Sequence, residues 1–227
     1  MLKINKENEK YLAQETLPAI ILLTLNSGFI DGNTFLYNNQ RFGGMQTGNV
    51  IQAGLHIAKH QFGTAMSFLF PFFAFILGIF LSTIIRHLYK NHSFLVFEQI
   101  SLTIQIIGIL IMAFVEKKIP DTLQVSGLSF FMALQADSFS KLHGGGIATV
   151  FTTGNTKTFA ANIMNGFLHK SSANFIAALK VLLVIFGFFI GAIGAELIHS
   201  SFGDISLFVS PILLIAVLGH ITFHRNK

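Results

Sequence analysis

Residues 43–58 read GGMQTGNVIQAGLHIA, and residues 152–163 read TTGNTKTFAANI. Each stretch carries the triplet Thr-Gly-Asn at the head of a short helical pattern, behind a loop containing glycine. Sixteen residues before each triplet stands an aspartate, Asp31 in the first case and Asp137 in the second. One offset of 106 residues relates the Asp, Thr, Gly and Asn of the two stretches, so the chain reads as two copies of one unit.

The match continues outward from the triplets. FAFILGIFLSTIIRH (residues 73–87) lies over FGFFIGAIGAELIHS (residues 186–200), pairing Gly78 with Gly191, if about seven extra residues are allowed in the second linker. The polar run His169, Lys170, Ser171 and Ser172 is the expected place for that insertion, because loops accept added length more readily than packed elements.

Composition sets the environment. Of 227 residues, 52% are hydrophobic and 11% charged, with 26 Phe, 3 Tyr and no Trp. A water-soluble domain carries about a quarter charged residues, so this is the composition of an all-α integral membrane protein. A helix needs about 20 apolar residues to cross a bilayer. Six windows qualify: residues 17–37, 64–85, 94–115, 123–139, 175–198 and 205–223. Residues 47–58 and 153–163 are helical in pattern but short and polar at their heads, and read as half-helices.

The expected organisation is a charged N-terminal arm over residues 1–16, without a signal-peptide cleavage site, followed by one membrane domain over residues 17–224. Repeat one covers about residues 12–115 and repeat two about 121–224. With three crossings in each repeat, the second copy is inverted. The basic residues fit this arrangement with the N-terminus inside. Lys3, Lys6, Lys10, Arg86, Lys90, Lys141, Lys157, Lys170, Arg225 and Lys227 fall on the inner side, against Arg41, Lys59, Lys117 and Lys118 outside. Eight crossings with parallel repeats would also keep most basic residues inside, and the shortness of the half-helices favours six.

GFIDGNTFLYNNQRFGGMQTGNVIQAGL (residues 28–55), together with Gln135, Asp137, the glycine-rich loop and TTGNT of the second half, resembles the YoaK-like bacterial membrane proteins, a family gathered under a domain of unknown function. The likeness spans nearly the whole chain. It departs from the pattern at Gln135-Ala136-Asp137, where Gln followed by Asn is expected. The resemblance implies a multi-pass protein of the bacterial inner membrane and assigns no biochemical role.

Chemistry is therefore read from the residues. Helix breaks at membrane depth are tolerated only inside protein or beside a water-filled cavity, and Gly43-Gly44 and Gly144-Gly145-Gly146 read as such breaks. A half-helix head offers free N–H groups and a positive dipole end to a polar or anionic group, and paired broken helices in two repeats point to a transporter's midplane site. The expected substrate-binding set is Asp31, Thr47, Gly48, Asn49, Gln135, Asp137, Thr153, Gly154 and Asn155. In it Thr47 and Thr153 cap the half-helices, Gly48 and Gly154 permit close approach, Asn49 and Asn155 supply amide contacts, and the two aspartates couple protons. The competing reading makes Thr-Gly-Asn a close-packing motif without a ligand, with each aspartate a helix cap or the local partner of Arg41 or Lys141.

Glu98, Glu196 and Lys180, near span ends, are expected to snorkel to the interface. His56 and His60 stand four apart without a neighbouring acid, so no metal is expected, and the absence of cysteine excludes thiolate sites. No phosphate-loop ending follows the triple glycine, and no hydrolase arrangement is suggested, so neither an enzyme nor a cofactor is expected. The net charge of +5 is scattered between apolar spans, which argues against a nucleic-acid partner. The expected partners are the lipid bilayer and a small polar or anionic substrate, with self-association left open. The leading functional reading is a small-molecule or ion transporter or facilitator with a polar site at the repeat interface. Its rival is a non-transporting membrane scaffold or accessory protein.

Overall fold

The structure, a computed structural model, describes residues 12–89 and 95–225, and the side chains of residues 95, 96, 224 and 225 are not described. Lys3, Lys6, Lys10, Glu7 and Glu9 of the expected arm, Lys90 and Lys227 of the charge reading, and the Phe94 start of the third window lie outside the described residues.

Eight α-helices follow in order among the described residues: α1 (Leu17–Tyr37), α2 (Gln46–Ala58), α3 (Phe62–Leu88), α4 (Leu95–Val115), α5 (Asp121–Ser138), α6 (Thr153–Leu168), α7 (Ser172–Phe202) and α8 (Val209–Arg225). A small antiparallel hairpin, β1 (Lys141–Leu142) and β2 (Gly145–Gly146), lies between α5 and α6, with Lys141 opposite Gly146. Four stretches are long and apolar enough to cross a membrane: Leu17–Tyr37, Phe62–Leu88, Phe97–Lys118 and Ser172–Phe223, the last running through α7 and α8. The shorter α5 is more polar because it is enclosed. It buries Gln124, Ser129 and Gln135 together with Leu128, Met132 and Leu134.

Helix α1 packs along α7, α3 along α5, α2 on α3 and α6 on α7, while α4 packs against both α5 and α8. The apolar environment of a bilayer gives little drive for helices to associate, so close backbone approach and polar contacts must hold them. Small residues supply the approach. A Cβ on Gly28 would collide with the Phe188 carbonyl, one on Gly191 with the Leu25 carbonyl, and one on Gly78 with the Phe130 carbonyl. Phe70, Phe73, Phe80, Phe114, Phe186 and Phe189 point outward. Such an apolar exterior suits lipid and would be a liability in water.

Polar contacts define two poles. At one, the Tyr37 hydroxyl donates to Glu196 (2.6 Å), the Asn39 amide donates to Asp121 (2.5 Å), and Lys117 pairs with Asp204 (2.6 Å). At the other, the Gly144 N–H donates to Glu15 (2.8 Å), Thr16 bonds His220 (2.9 Å), Gln99 donates to Thr222 (3.1 Å), and Arg86 pairs with Asp137 (2.7 Å). These pairings place α1, α4 and α7 in one direction and α3, α5 and α8 in the other.

Both short helices end alike. His60 and Lys170 adopt left-handed φ angles of 59° and 48° just past α2 and α6. The next N–H in each case reaches back into the last turn, Gln61 to the His56 carbonyl (2.9 Å) and Ser171 to the Gly166 carbonyl (3.0 Å). This closure satisfies carbonyls that a helix end would otherwise leave open. It also corrects the expected insertion. If the two segments are aligned through these turns, which match, the added length falls in the helices, including the longer α6 (16 residues against 13 in α2), and not in the polar run from His169 to Ser172.

Candidate functional site

The loop before each short helix is held by the asparagine of its Thr-Gly-Asn triplet. Asn49 accepts the Phe42 N–H on Oδ1 (2.9 Å) and donates from Nδ2 to the Phe42 carbonyl (2.8 Å). Asn155 does the same to Ala148, at 2.9 and 2.7 Å. These bonds satisfy loop backbone that has no ladder or helical partner. The threonines, expected as caps, take no part. The helices begin after Met45 and Thr152, neither of which accepts a side-chain capping bond, and Thr47 and Thr153 are exposed within the first turn. The expected close approach at the glycines also divides. A Cβ on Gly48 would lie 2.7 Å from the Phe42 ring, whereas one on Gly154 would meet nothing within 4 Å.

The two loops meet in the interior. Gly44, at the α2 head, faces Val150, at the α6 head, so closely that a Cβ on Gly44 would lie 2.5 Å from a Val150 methyl. Asp31 sits against this junction. Its Oδ1 accepts the Gly44 N–H (2.6 Å) and the Met45 N–H (3.4 Å), while the Gly43 N–H donates to the Thr34 hydroxyl (3.1 Å). Asp31 is 4% exposed, and its Oδ2 is buried with no hydrogen-bond partner. Among the described residues no cationic side chain forms an ion pair with it, so neither Arg41 nor Lys141 is its partner.

Asp137 has a different environment despite its equivalent place in sequence. Its Oδ2 accepts from Ser82 (2.6 Å) and from Arg86 (2.7 Å). The two aspartates share no partner, and the expected pairing of Asp137 with Lys141 gives way to Arg86, which comes from the end of α3. An Arg one helix away wins because α3 and α5 run side by side to the same pole.

Gln135 is the hub of a buried polar cluster. Its Oε1 accepts from Asn26 and Gln105 (3.2 Å each), and its Nε2 bonds the Leu23 carbonyl (3.0 Å), the Ser27 hydroxyl (2.7 Å) and the Thr149 carbonyl (3.2 Å). Ser210 of α8 closes on Asn26 at 2.6 Å. Buried polar residues must satisfy one another in such surroundings, and here α1, α4, α5, α8 and the α6 head loop are joined by them. The sequence alone does not single out Asn26, Ser27, Gln105, Thr149 or Ser210. The signal for Asn26, Ser27, Gln105 and Ser210 is an amide or hydroxyl inside an apolar window, but no spacing rule pairs residues on different helices, and Thr149 lies in the loop before α6.

The family model described as "Protein of unknown function (DUF1275)" matches residues 19–220, from the first turn of α1 into α8. The chain belongs to this family. No curated protein and no solved structure matches it. The matched span takes in both half-helices, both aspartates and the Gln135 cluster, so the family match covers the whole candidate site.

The remaining charged candidates sit toward the poles. Glu196 accepts from Tyr37, Gln14 reaches Glu98 at 3.4 Å, and Lys180 contacts His143 at 2.9 Å. His56 lies over the Phe68 ring with centroids 5.5 Å apart and contacts Gln61 at 2.5 Å, while His60 falls beyond the end of α2. Their spacing of four therefore does not place both on one helix face.

Proposed function

We propose that the chain is a small-molecule or ion transporter or facilitator of the bacterial inner membrane, with six crossings, two inverted repeats and a polar site where the half-helix heads meet. The observation that carries this reading is the Gly44–Val150 junction with the buried, unpaired Oδ2 of Asp31 beside it. An ionisable residue inside a membrane is costly and marks a pathway or relay by default. A carboxylate oxygen with no partner has capacity for a proton or a cation. Half-helices that approach from opposite poles and meet at their heads are the arrangement used for midplane sites in transporters.

The repeat reading is supported by three correspondences. Asn49 and Asn155 make the same two bonds seven residues back, α2 and α6 end in the same left-handed turn, and α1 on α7 is mirrored by α5 on α3. Proton coupling is assigned to Asp31 alone, since Asp137 is tied to Arg86. Thr47, Gly48, Thr153 and Gly154 remain candidates for substrate contact through their position at the heads. The Asn49 and Asn155 carboxamides are committed to the backbone, which favours the scaffold reading for those two residues.

Two experiments test the proposal. Purified protein in proteoliposomes is screened for uptake of small polar and anionic solutes under an imposed pH gradient, with protein-free vesicles as control. Solute-specific flux supports transport, and its absence across the panel favours the scaffold. Labelling of Asn5→Cys and Lys118→Cys from outside intact cells tests the topology, with only the second expected to react.

A further inference from the structure

Arg41 lies in the loop between α1 and α2 and is 7% exposed. Its Nη1 donates to the Asn38 carbonyl (3.2 Å), its Nη2 donates to the Ser67 hydroxyl (2.7 Å), and its guanidinium lies 5.4 Å from the centroid of the Phe68 ring. Its Nε is buried without a partner. Both acceptors are neutral, and among the described residues no carboxylate forms an ion pair with it. Asp121 exerts an attractive field from a greater distance, while its own carboxylate accepts from Asn39.

Arginine stays charged in proteins and has five N–H donors, so two neutral acceptors leave both its charge and most of its fork unmet. A buried charge without a counter-ion is unfavourable unless something else supplies one. The surroundings offer the room. Arg41 borders a cleft of about 620 Å³ whose polar lining is Tyr37, Asn39, Gln40, Gln52, His56 and Thr64, with no acidic residue on its wall. That volume is in the range of small-molecule sites, roughly 300–1,000 Å³.

We propose that this open cleft, bordered by the end of α1, the Arg41 loop, α2 and the start of α3, binds a small oxyanion, with Arg41 as its counter-charge. The ligand group is a carboxylate or phosphate, because the planar guanidinium matches two oxygens at once. Gln52 and Thr64 lie on the same wall as additional donors. A dissolved anion and an anionic lipid headgroup present the same chemistry. The inference is independent of transport, since a binding site here could serve a scaffold equally well.

The test measures melting of the full-length protein at constant ionic strength as sodium chloride is replaced by sodium acetate or sodium phosphate, first in detergent without lipid. It is repeated in nanodiscs of phosphatidylcholine with and without phosphatidylglycerol. A stabilising response to acetate or phosphate in detergent identifies a dissolved ligand, and one confined to phosphatidylglycerol identifies a headgroup. Arg41→Gln should weaken the response about tenfold or more, the scale of one charge-assisted hydrogen bond. Gln52→Phe removes a donor and places an apolar ring on the cleft wall while leaving the bonds of Arg41 to Asn38 and Ser67, and should weaken it as well. If Arg41→Gln does not fold, Gln52→Phe decides. No response to any of the three ligands, or an undiminished response in Gln52→Phe, overturns the proposal.

Discussion

Asn49 grips Phe42 by both polar groups of its backbone, accepting the N–H at 2.9 Å and donating to the carbonyl at 2.8 Å. Asn155 repeats the grip on Ala148. One asparagine thus pins the start of each loop that delivers Gly44 and Val150 to the interior, beside the bonds of Asp31 and Thr34 to the first loop and of Gln135 to the second. Asn49→Ala and Asn155→Ala should each lower the melting temperature, because each leaves a loop N–H and carbonyl unpaired at a cost of about 1–3 kcal/mol per buried group. Asn→Asp keeps the acceptor but sets a buried carboxylate oxygen against the loop carbonyl, and should cost at least as much as alanine. Unchanged melting in both alanine variants would show that the loops are held by other contacts.

The junction of the two heads makes a second prediction. Gly44→Ala places a methyl against Val150, and overpacking of this kind costs about 1–3 kcal/mol. Val150→Ala removes the obstructing methyl groups. The double variant should therefore recover much of the stability lost by Gly44→Ala, measured by thermal unfolding in detergent. Strictly additive losses would place the two loops further apart.

The glycines are expected to rank by what lies opposite them. Gly28→Ala and Gly191→Ala drive a methyl into the backbone carbonyls of Phe188 and Leu25, which cannot swing aside as a side chain can. Both should impair assembly of α1 with α7, seen as poor recovery of folded, monodisperse protein. Gly154→Ala faces open space and should be recovered normally.

Much of this architecture was legible in the sequence. The first window, residues 17–37, coincides with α1 because apolar length alone decides a crossing, and the half-helices begin within a residue of their predicted starts. The 106-residue offset found the two asparagines that share a role. It could not assign that role, since whether a carboxamide faces a ligand or its own loop depends on how the preceding residues fold back. Nor could it foresee that Asp31 and Asp137 diverge. Ser82 and Arg86 meet Asp137 across α3 and α5, and no local pattern records which helices become neighbours. The Arg41 cleft was hidden for the same reason, being assembled from α1, α2 and α3.

The β1–β2 hairpin should give a pH-dependent stability. Burial, and then the positive charge of Lys180, hold the His143 pKa below its ordinary value, while Glu15 acts in the opposite sense. The folded state therefore favours the neutral imidazole. Its contribution is present above the ordinary histidine pKa of about 6.5 and is lost as the pH falls through that value toward the lower folded one. His143→Asn tolerates the left-handed φ of 48° at this position and cannot titrate. Between about pH 7.5 and 5.5, a range bracketing the ordinary histidine pKa, the melting temperature of the native protein should fall more steeply than that of the variant. Parallel curves would remove His143 as the source.

Under the proposed coupling Asp31 carries the proton, and pH-driven uptake by proteoliposomes containing the native protein, Asp31→Asn or Asp137→Asn, with the solute that the flux screen identifies, separates its role from that of Asp137. Asparagine keeps the shape and the acceptor for the Gly44 N–H but cannot exchange a proton. Asp31→Asn should remain folded and inserted yet lose the pH-driven component, while Asp137→Asn, which removes the charge partner of Arg86, should retain it. Uptake by Asp31→Asn at the native rate and with an unaltered pH profile would remove Asp31 as the coupling group.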